Sequence, residues 1–150
     1  MVKINLAFAL SFFVISIVLF PLSKEDSVND QKSSSTIEVI KKFNEAFNNH
    51  DVDAVMALMT DDCIFENTRP APDGERLEGA EKVRAYWIEF FKRSPEAHFE
   101  AEEIFSAEDR AVVRWIYRWV REGKKGHVRG VDIFKVRDGK VAEKFSYVKG

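Results

Sequence analysis

The period of the apolar residues changes once along this chain, and that change limits the fold more than any other feature. Up to about Lys92 apolar side chains recur every three or four positions, the spacing of one helix face. From Ala97 they recur every second position, the spacing of one strand face. Ser35-Thr36-Ile37-Glu38 fits a capping box with Ser35 as N-cap, and Ile37, Ile40, Phe43 and Phe47 come after it at helical spacing. This predicts a first helix ending near Asn48-Asn49. Asp51 can cap a short second helix through about Met59, with Val52, Val55, Met56 and Met59 inward. Cys63 to Asn67 reads as a short strand, and Thr68 to Glu78, with Pro70, Pro72 and Gly74, reads as a loop. Gly79 to Lys92 reads as a third helix with Val83, Tyr86, Trp87, Phe90 and Phe91 on its apolar side. Four strands complete the chain. Phe99, Ala101, Glu103 and Phe105 alternate with charged neighbours. Arg110 to Arg121 puts Val113, Trp115, Tyr117 and Trp119 on one face and Arg114, Ile116 and Arg118 on the other. After a turn at Glu122 to Gly126, His127 to Arg137 and Lys140 to Val148 form a hairpin around Asp138-Gly139. Helices grouped early and strands late indicate α+β, a sheet packed on helices.

The N-terminus does not share this pattern. Lys3 precedes an apolar run from Leu6 to Phe20, as in a secretory signal, and residues 4–22 approach the length of a single membrane span. Residues 1–23 therefore read as a signal peptide or a retained transmembrane anchor, and both remain open. In either case the positive charge ahead of the run places the remainder outside the cytoplasm, secreted, periplasmic or membrane-anchored. Membrane contact is expected only through residues 4–22. Residues 24–35 are polar and read as a disordered linker, because they bury too little apolar surface to offset their ordering. The folded domain is expected at 36–150.

Charge and motifs exclude several functions. The net charge of −2 offers no basic excess, so no nucleic-acid partner is expected. One cysteine, Cys63, allows no internal disulfide. His50, His98 and His127 lie far apart, so no metal is expected, and all three read as solvated. There is no phosphate-cradling glycine loop, GxSxG elbow, HExxH or CxxC, and no cofactor is expected. With 13 Phe and 3 Trp the chain has ample material for a core or an apolar pocket. Asp132 stands out in the run Gly130-Val131-Asp132-Ile133-Phe134. A carboxylate in an apolar setting has its charged form disfavoured and can donate a proton at neutral pH. The bland alternative is a structural Asp held by a cross-strand partner such as Lys144. Arg114 and Arg118 project from the other face, with Glu100 and Glu102 as candidate ion-pair partners.

Several stretches in order resemble the SnoaL-like members of the NTF2-like superfamily. They are Phe43-Asn44-Glu45-Ala46-Phe47 with His50-Asp51-Val52-Asp53, Asp61-Asp62 before Ile64-Phe65-Glu66-Asn67, Leu77-Glu78-Gly79, and Gly130 through Val141. The resemblance covers the whole folded part. It implies a cone in which a curved antiparallel sheet wraps around three N-terminal helices and an apolar pocket, with a homodimer formed through the sheet. The superfamily includes ketosteroid isomerases, polyketide cyclases and epoxide hydrolases, and also proteins without catalysis, so fold alone does not assign an activity.

Carried residue by residue, the resemblance places Asp132 where isomerases hold a protonated Asp and cyclases an acid/base Asp. It departs elsewhere. Asn67 stands at the isomerase base and Phe43 at the phenol, and neither side chain can do that chemistry. Asn67 matches the water-holding asparagine of epoxide hydrolases, but Phe65 replaces the assisting tyrosine and Ser146 the base. The implied site is therefore Asp132 with Asn67 as catalytic candidates, and Phe43, Phe65, Trp87, Trp115, Tyr117, Phe134, Lys144 and Ser146 as pocket; the bland alternative for Asn67 is a strand-end or turn Asn bonding its own loop. The aromatic stripe reads equally well as plain core. Lys144 and Ser146 depend on register. A two-residue turn at Asp138-Gly139 puts Phe145 opposite Asp132, and a three-residue turn puts Lys144 there. The resemblance favours the second. The expected function is binding of a small apolar molecule, with acid/base chemistry through Asp132, or alternatively a non-catalytic ligand-binding or dimerisation module.

Overall fold

The computed structural model describes residues 24–149. The elements are α1 (Lys24–Asn48), α2 (Val52–Ala57), β1 (Met59–Glu66), β2 (Arg76–Glu78), α3 (Ala80–Arg93), β3 (His98–Ala107), β4 (Arg110–Arg121), β5 (Lys124–Arg137) and β6 (Lys140–Val148). Six strands make one curved open sheet in the order β2-β1-β6-β5-β4-β3. Neighbouring strands run antiparallel, except β1 with β6, which run parallel. The sheet is thus mixed at one place where the sequence predicted antiparallel pairing throughout. The expected leader, residues 1–23, lies outside the described residues. Among those described, no helix is long and apolar enough to cross a membrane.

The helices pack on one face of the sheet. Ile40, Phe43 and Phe47 from α1 meet Val83, Trp87 and Phe91 from α3, and both sets pack on Val113, Trp115, Phe134 and Val136 of the sheet. Helical spacing on one side and alternation on the other bring these faces together. Asp51 caps α2 as expected, accepting from the Ala54 amide at 2.9 Å. Met59 opens β1 rather than closing α2, and it is still buried.

Residues 24–35 are helical, where their composition predicted a disordered linker. The reason lies in the β3–β4 turn. Ser33 Oγ accepts from the Glu108 amide at 2.8 Å, Ser106 Oγ donates to the Ser33 carbonyl at 2.9 Å, and Thr36 Oγ1 donates to the Glu108 carbonyl at 2.7 Å. These contacts fix one helical turn, and a formed turn extends cheaply back through the exposed stretch Lys24–Lys32. The capping box is consequently absent, because Ser35 sits inside α1 and its hydroxyl donates to the Lys32 carbonyl.

Three strand expectations also change. Arg76–Glu78, within the stretch read as loop, forms β2 by backbone pairing of Leu77 with Phe65, which needs no side-chain period. The β4–β5 turn is only Glu122-Gly123, both at positive φ, so β5 begins at Lys124 rather than His127. A bulge in β3 at Glu102 reverses the alternation: Phe99 and Ala101 share one face, but Ile104 replaces Glu103 and Phe105 on the core side. Phe105 therefore points outward and is 54% exposed. The same bulge redistributes the acids on the outer face. Arg118 pairs with Glu100 at 3.0 Å, Arg114 with Glu103 at 3.4 Å, and Glu102 with Arg129.

Candidate functional site

Asp132 lies in the middle of β5, between Val113 on β4 and Ser146 on β6, and is 1% exposed. Its Oδ2 is 2.6 Å from Lys144 Nζ, and Lys144 is itself 6% exposed. Lys144 Nζ also donates to Ser146 Oγ at 2.7 Å and stands over the rings of Phe65 (5.1 Å) and Phe134 (5.4 Å). Apart from the ion pair with Lys144, neither Asp132 oxygen meets a hydrogen-bond donor among the described residues. Burial pulls the Lys144 ammonium below its ordinary pKa, and the Asp132 charge opposes that pull. Two buried charges thus hold each other in an aromatic setting, which stabilises little compared with apolar packing of the same volume.

Register decides that these side chains meet. The turn is the two-residue kind, Asp138-Gly139, with both residues at positive φ and Arg137 opposite Lys140. Continued unbroken, that register would put Phe145 opposite Asp132. Instead β6 carries a bulge at Ala142, between the pairs Val136–Val141 and Lys135–Glu143. The extra residue exchanges the faces of β6 beyond it, so Ser146 comes opposite Asp132 and Lys144 opposite Phe134. The turn belongs to the first of the two registers, and the face presented is that of the second.

The pair lies in the wall of a cavity of about 110 Å³. Of the expected pocket residues, Phe65, Trp87, Trp115, Tyr117, Lys144 and Ser146 line it. Phe43 and Phe134 do not. They lie one layer deeper, edge to face with each other at 5.7 Å, and support the wall from behind. The sequence reading missed Phe47, Thr68, Tyr86, Phe90, Phe99, Val128 and Val148 as lining. Tyr86 and Phe90 carried a usable signal, since they flank Trp87 on the apolar side of α3; the others depend on how α1, β3, β5, β6 and the loop after β1 come together. The aromatic stripe of β4 divides. Trp115 and Tyr117 face the cavity, while Trp119 stacks on Tyr117 and covers Gly126, where a Cβ would come within 2.6 Å of its ring.

Asn67 also lines the cavity, but its carbonyl is committed to its own loop. Oδ1 accepts from the Arg69 amide at 3.0 Å and the Glu75 amide at 2.9 Å, and Gly74 packs so tightly against the Asn67 backbone that a Cβ would lie 1.9 Å from its oxygen. Burial pushes the pKa of the neighbouring Tyr86 hydroxyl up to about 12. Trp87 and Trp115 each hold a buried indole N–H with no acceptor among the described residues. His50 is not solvated as expected: its Nε2 is 2.9 Å from the Ala97 carbonyl and its ring stacks on Phe91. His98 and His127 are not buried. Cys63 is fully buried and unpaired, and burial pushes its thiol pKa up. Among the described residues no three His, Cys, Asp or Glu side chains cluster to hold a metal.

Residues 40–144 match the family model of the SnoaL-like domain. With a curved six-stranded sheet, helices on one face and a buried acid in the cavity between, the chain belongs to the SnoaL-like family of the NTF2-like superfamily. An NTF2-like protein of unknown function from Mesorhizobium loti is 39% identical, with a TM-score of 0.68 over 79% of this chain and 94% of its own. Two more distant structures share the fold. A putative SnoaL-like polyketide cyclase from Jannaschia is 18% identical (TM-score 0.68; 78% of this chain, 87% of its own). An LEH-like epoxide hydrolase from M. tuberculosis is also 18% identical (TM-score 0.65; 79% and 85%). No curated protein matches the chain by sequence.

Proposed function

We propose that this domain binds a small, largely apolar molecule in the cavity and that Asp132 moves a proton on it. The carrying observation is the Asp132–Lys144 pair, buried at 2.6 Å in the wall of an otherwise aromatic cavity. Packing alone gives no reason to desolvate two charges there, since apolar residues of equal volume serve stability as well or better. A site that must hold a proton next to a bound molecule does need them. Fluorescence titration of the Trp87–Trp115 wall with a panel of small cyclic ketones tests binding, and solvent deuterium exchange at the ketone α-carbon tests proton transfer. Saturable quenching with exchange that Asp132→Asn abolishes is expected; exchange equal in wild type and Asp132→Asn would refute the catalytic role.

The second reading is a binding module without turnover. The committed Asn67 carbonyl favours it, as does a cavity smaller than the about 300–1,000 Å³ of most ligand sites. Under this reading ligands quench tryptophan but no α-proton exchanges.

Two further parts of the proposal concern the whole chain. The outer sheet face forms a homodimer, and the apolar residues 6–20 carry the domain out of the cytoplasm. A fusion reporter active only in the cytoplasm would contradict the export.

A further inference from the structure

We propose that Lys144 forms a covalent imine with a small aldehyde or ketone bound in this cavity. The inference rests on the ligand-binding reading above and names the ligand's reactive group. Lys144 differs from the exposed lysines, such as Lys41 and Lys92, in every property that matters for nucleophilic attack. Its side chain lines the cavity, its Nζ is shut away from water, and a carboxylate stands 2.6 Å away to take its proton. Among the described residues Asp132 meets no other donor, so it is available to carry that proton. The walls suit a carbonyl compound as well. Phe65, Phe90 and Tyr117 offer apolar faces to the hydrocarbon part of such a compound.

The step balances with these two side chains and water. The Lys144 ammonium passes a proton to Asp132. The amine nitrogen then attacks the carbonyl carbon, a C–N bond forms, and the carbonyl π pair takes the proton from Asp132 as a hydroxyl. Asp132 removes a second proton from nitrogen and returns it to that hydroxyl, which leaves as water. The product is a protonated imine beside an Asp132 carboxylate. An ammonium–carboxylate pair has become an iminium–carboxylate pair, so no buried charge is left alone at the end. Desolvated lysines in apolar pockets are activated for this chemistry in general.

The full chain is incubated with benzaldehyde and sodium cyanoborohydride at neutral pH, digested, and mapped by mass spectrometry. Benzaldehyde binding is followed in parallel by tryptophan fluorescence. The expected result is a benzyl group on the peptide containing Lys144, ahead of any label on Lys41 or Lys92, and its loss in Lys144→Arg. Arginine keeps a cation beside Asp132 and cannot form the imine, so a folded Lys144→Arg that still binds benzaldehyde without labelling supports the proposal. Quenching without label at Lys144 overturns the imine and leaves the binding reading intact. Label confined to exposed lysines also overturns it. Neither quenching nor label, with benzaldehyde or the ketones, overturns both readings.

Discussion

Asp132 and Lys144 depend on each other because each is desolvated, with side chains 2% and 8% exposed. Removing one partner leaves the other charged and unpaired, which costs about 3–5 kcal/mol in comparable buried pairs. Lys144→Met is therefore expected to lower stability by that order in urea titration. Asp132→Asn combined with Lys144→Met is expected to recover a large part of it, and a double variant as unstable as the sum of the singles would contradict the pairing. The pair also sets a pH dependence. Burial holds the folded Lys144 pKa below its ordinary 10.5, so the unfolded chain keeps this proton at pH values where the folded chain has released it. Unfolding then takes up a proton, and the stability contributed at this site rises with pH across the window that ends near 10.5. Comparing urea midpoints of wild type and Lys144→Met from neutral pH upward is expected to show the wild type gaining on the variant. At this scale the sequence marked Asp132 and offered Lys144 as its partner. For Asn67 it left two readings, a pocket hydrogen-bonding group or a turn Asn bonding its own loop, and the folded turn that brings the Arg69 and Glu75 amides to its Oδ1 decides for the loop.

Between elements, strand register decides which side chains meet. The bulges at Ala142 and Glu102 each exchange the faces of the strand beyond them, and neither has a composition that announces it. Gly130 illustrates how tightly the result is packed. A Cβ there would lie 2.1 Å from the Tyr147 carbonyl and 2.5 Å from the Trp115 ring. Gly130→Ala must displace Trp115 from the cavity wall or spread β5 from β6. It is expected to cost about 1–3 kcal/mol, as overpacking does, and to change the tryptophan emission. A neutral substitution with unchanged emission would show that Trp115 does not lie across Gly130. The start of α1 also owes its state to a neighbouring element. Its composition argues for disorder, and three hydrogen bonds that Ser33 and Thr36 make with the β3–β4 turn and Ser106 hold it in helix.

At the scale of the whole molecule, the outer face of the sheet has no helix over it among the described residues. Phe105, Val112, Ile133 and Phe145 stand in register across four strands, and Tyr147 lies beside them, 48% exposed. Ion pairs such as Arg118–Glu100 and Arg110–Glu143 surround this row. Exposed pairs of this kind contribute only about 0–1 kcal/mol each, so the apolar row is the part with energy to gain from a partner. A second copy of the chain is the proposed partner. Sedimentation is expected to give a dimer for wild type and a monomer for Phe105→Glu, whose side chain is already outside the core and whose fold is expected to survive. A wild-type monomer at micromolar concentration would exclude this interface.

Local periodicity settled the α+β class, the order of the elements other than β2, and the core faces of the helices and of β4, because helix and strand spacing are written in consecutive residues. The cavity needed more than periodicity. Six of the eight expected pocket residues line it, yet which face of β6 Lys144 and Ser146 occupy turns on one extra residue at Ala142. Phe43 and Phe134 fell out of the lining because α1 and the sheet close on them first. Alternation says that a side chain faces inward; only the packing of helices on the sheet decides whether inward means core or cavity. The Asp132–Lys144 contact belongs to that second kind of knowledge, since the two residues meet only after a turn, a bulge and a twist have placed them.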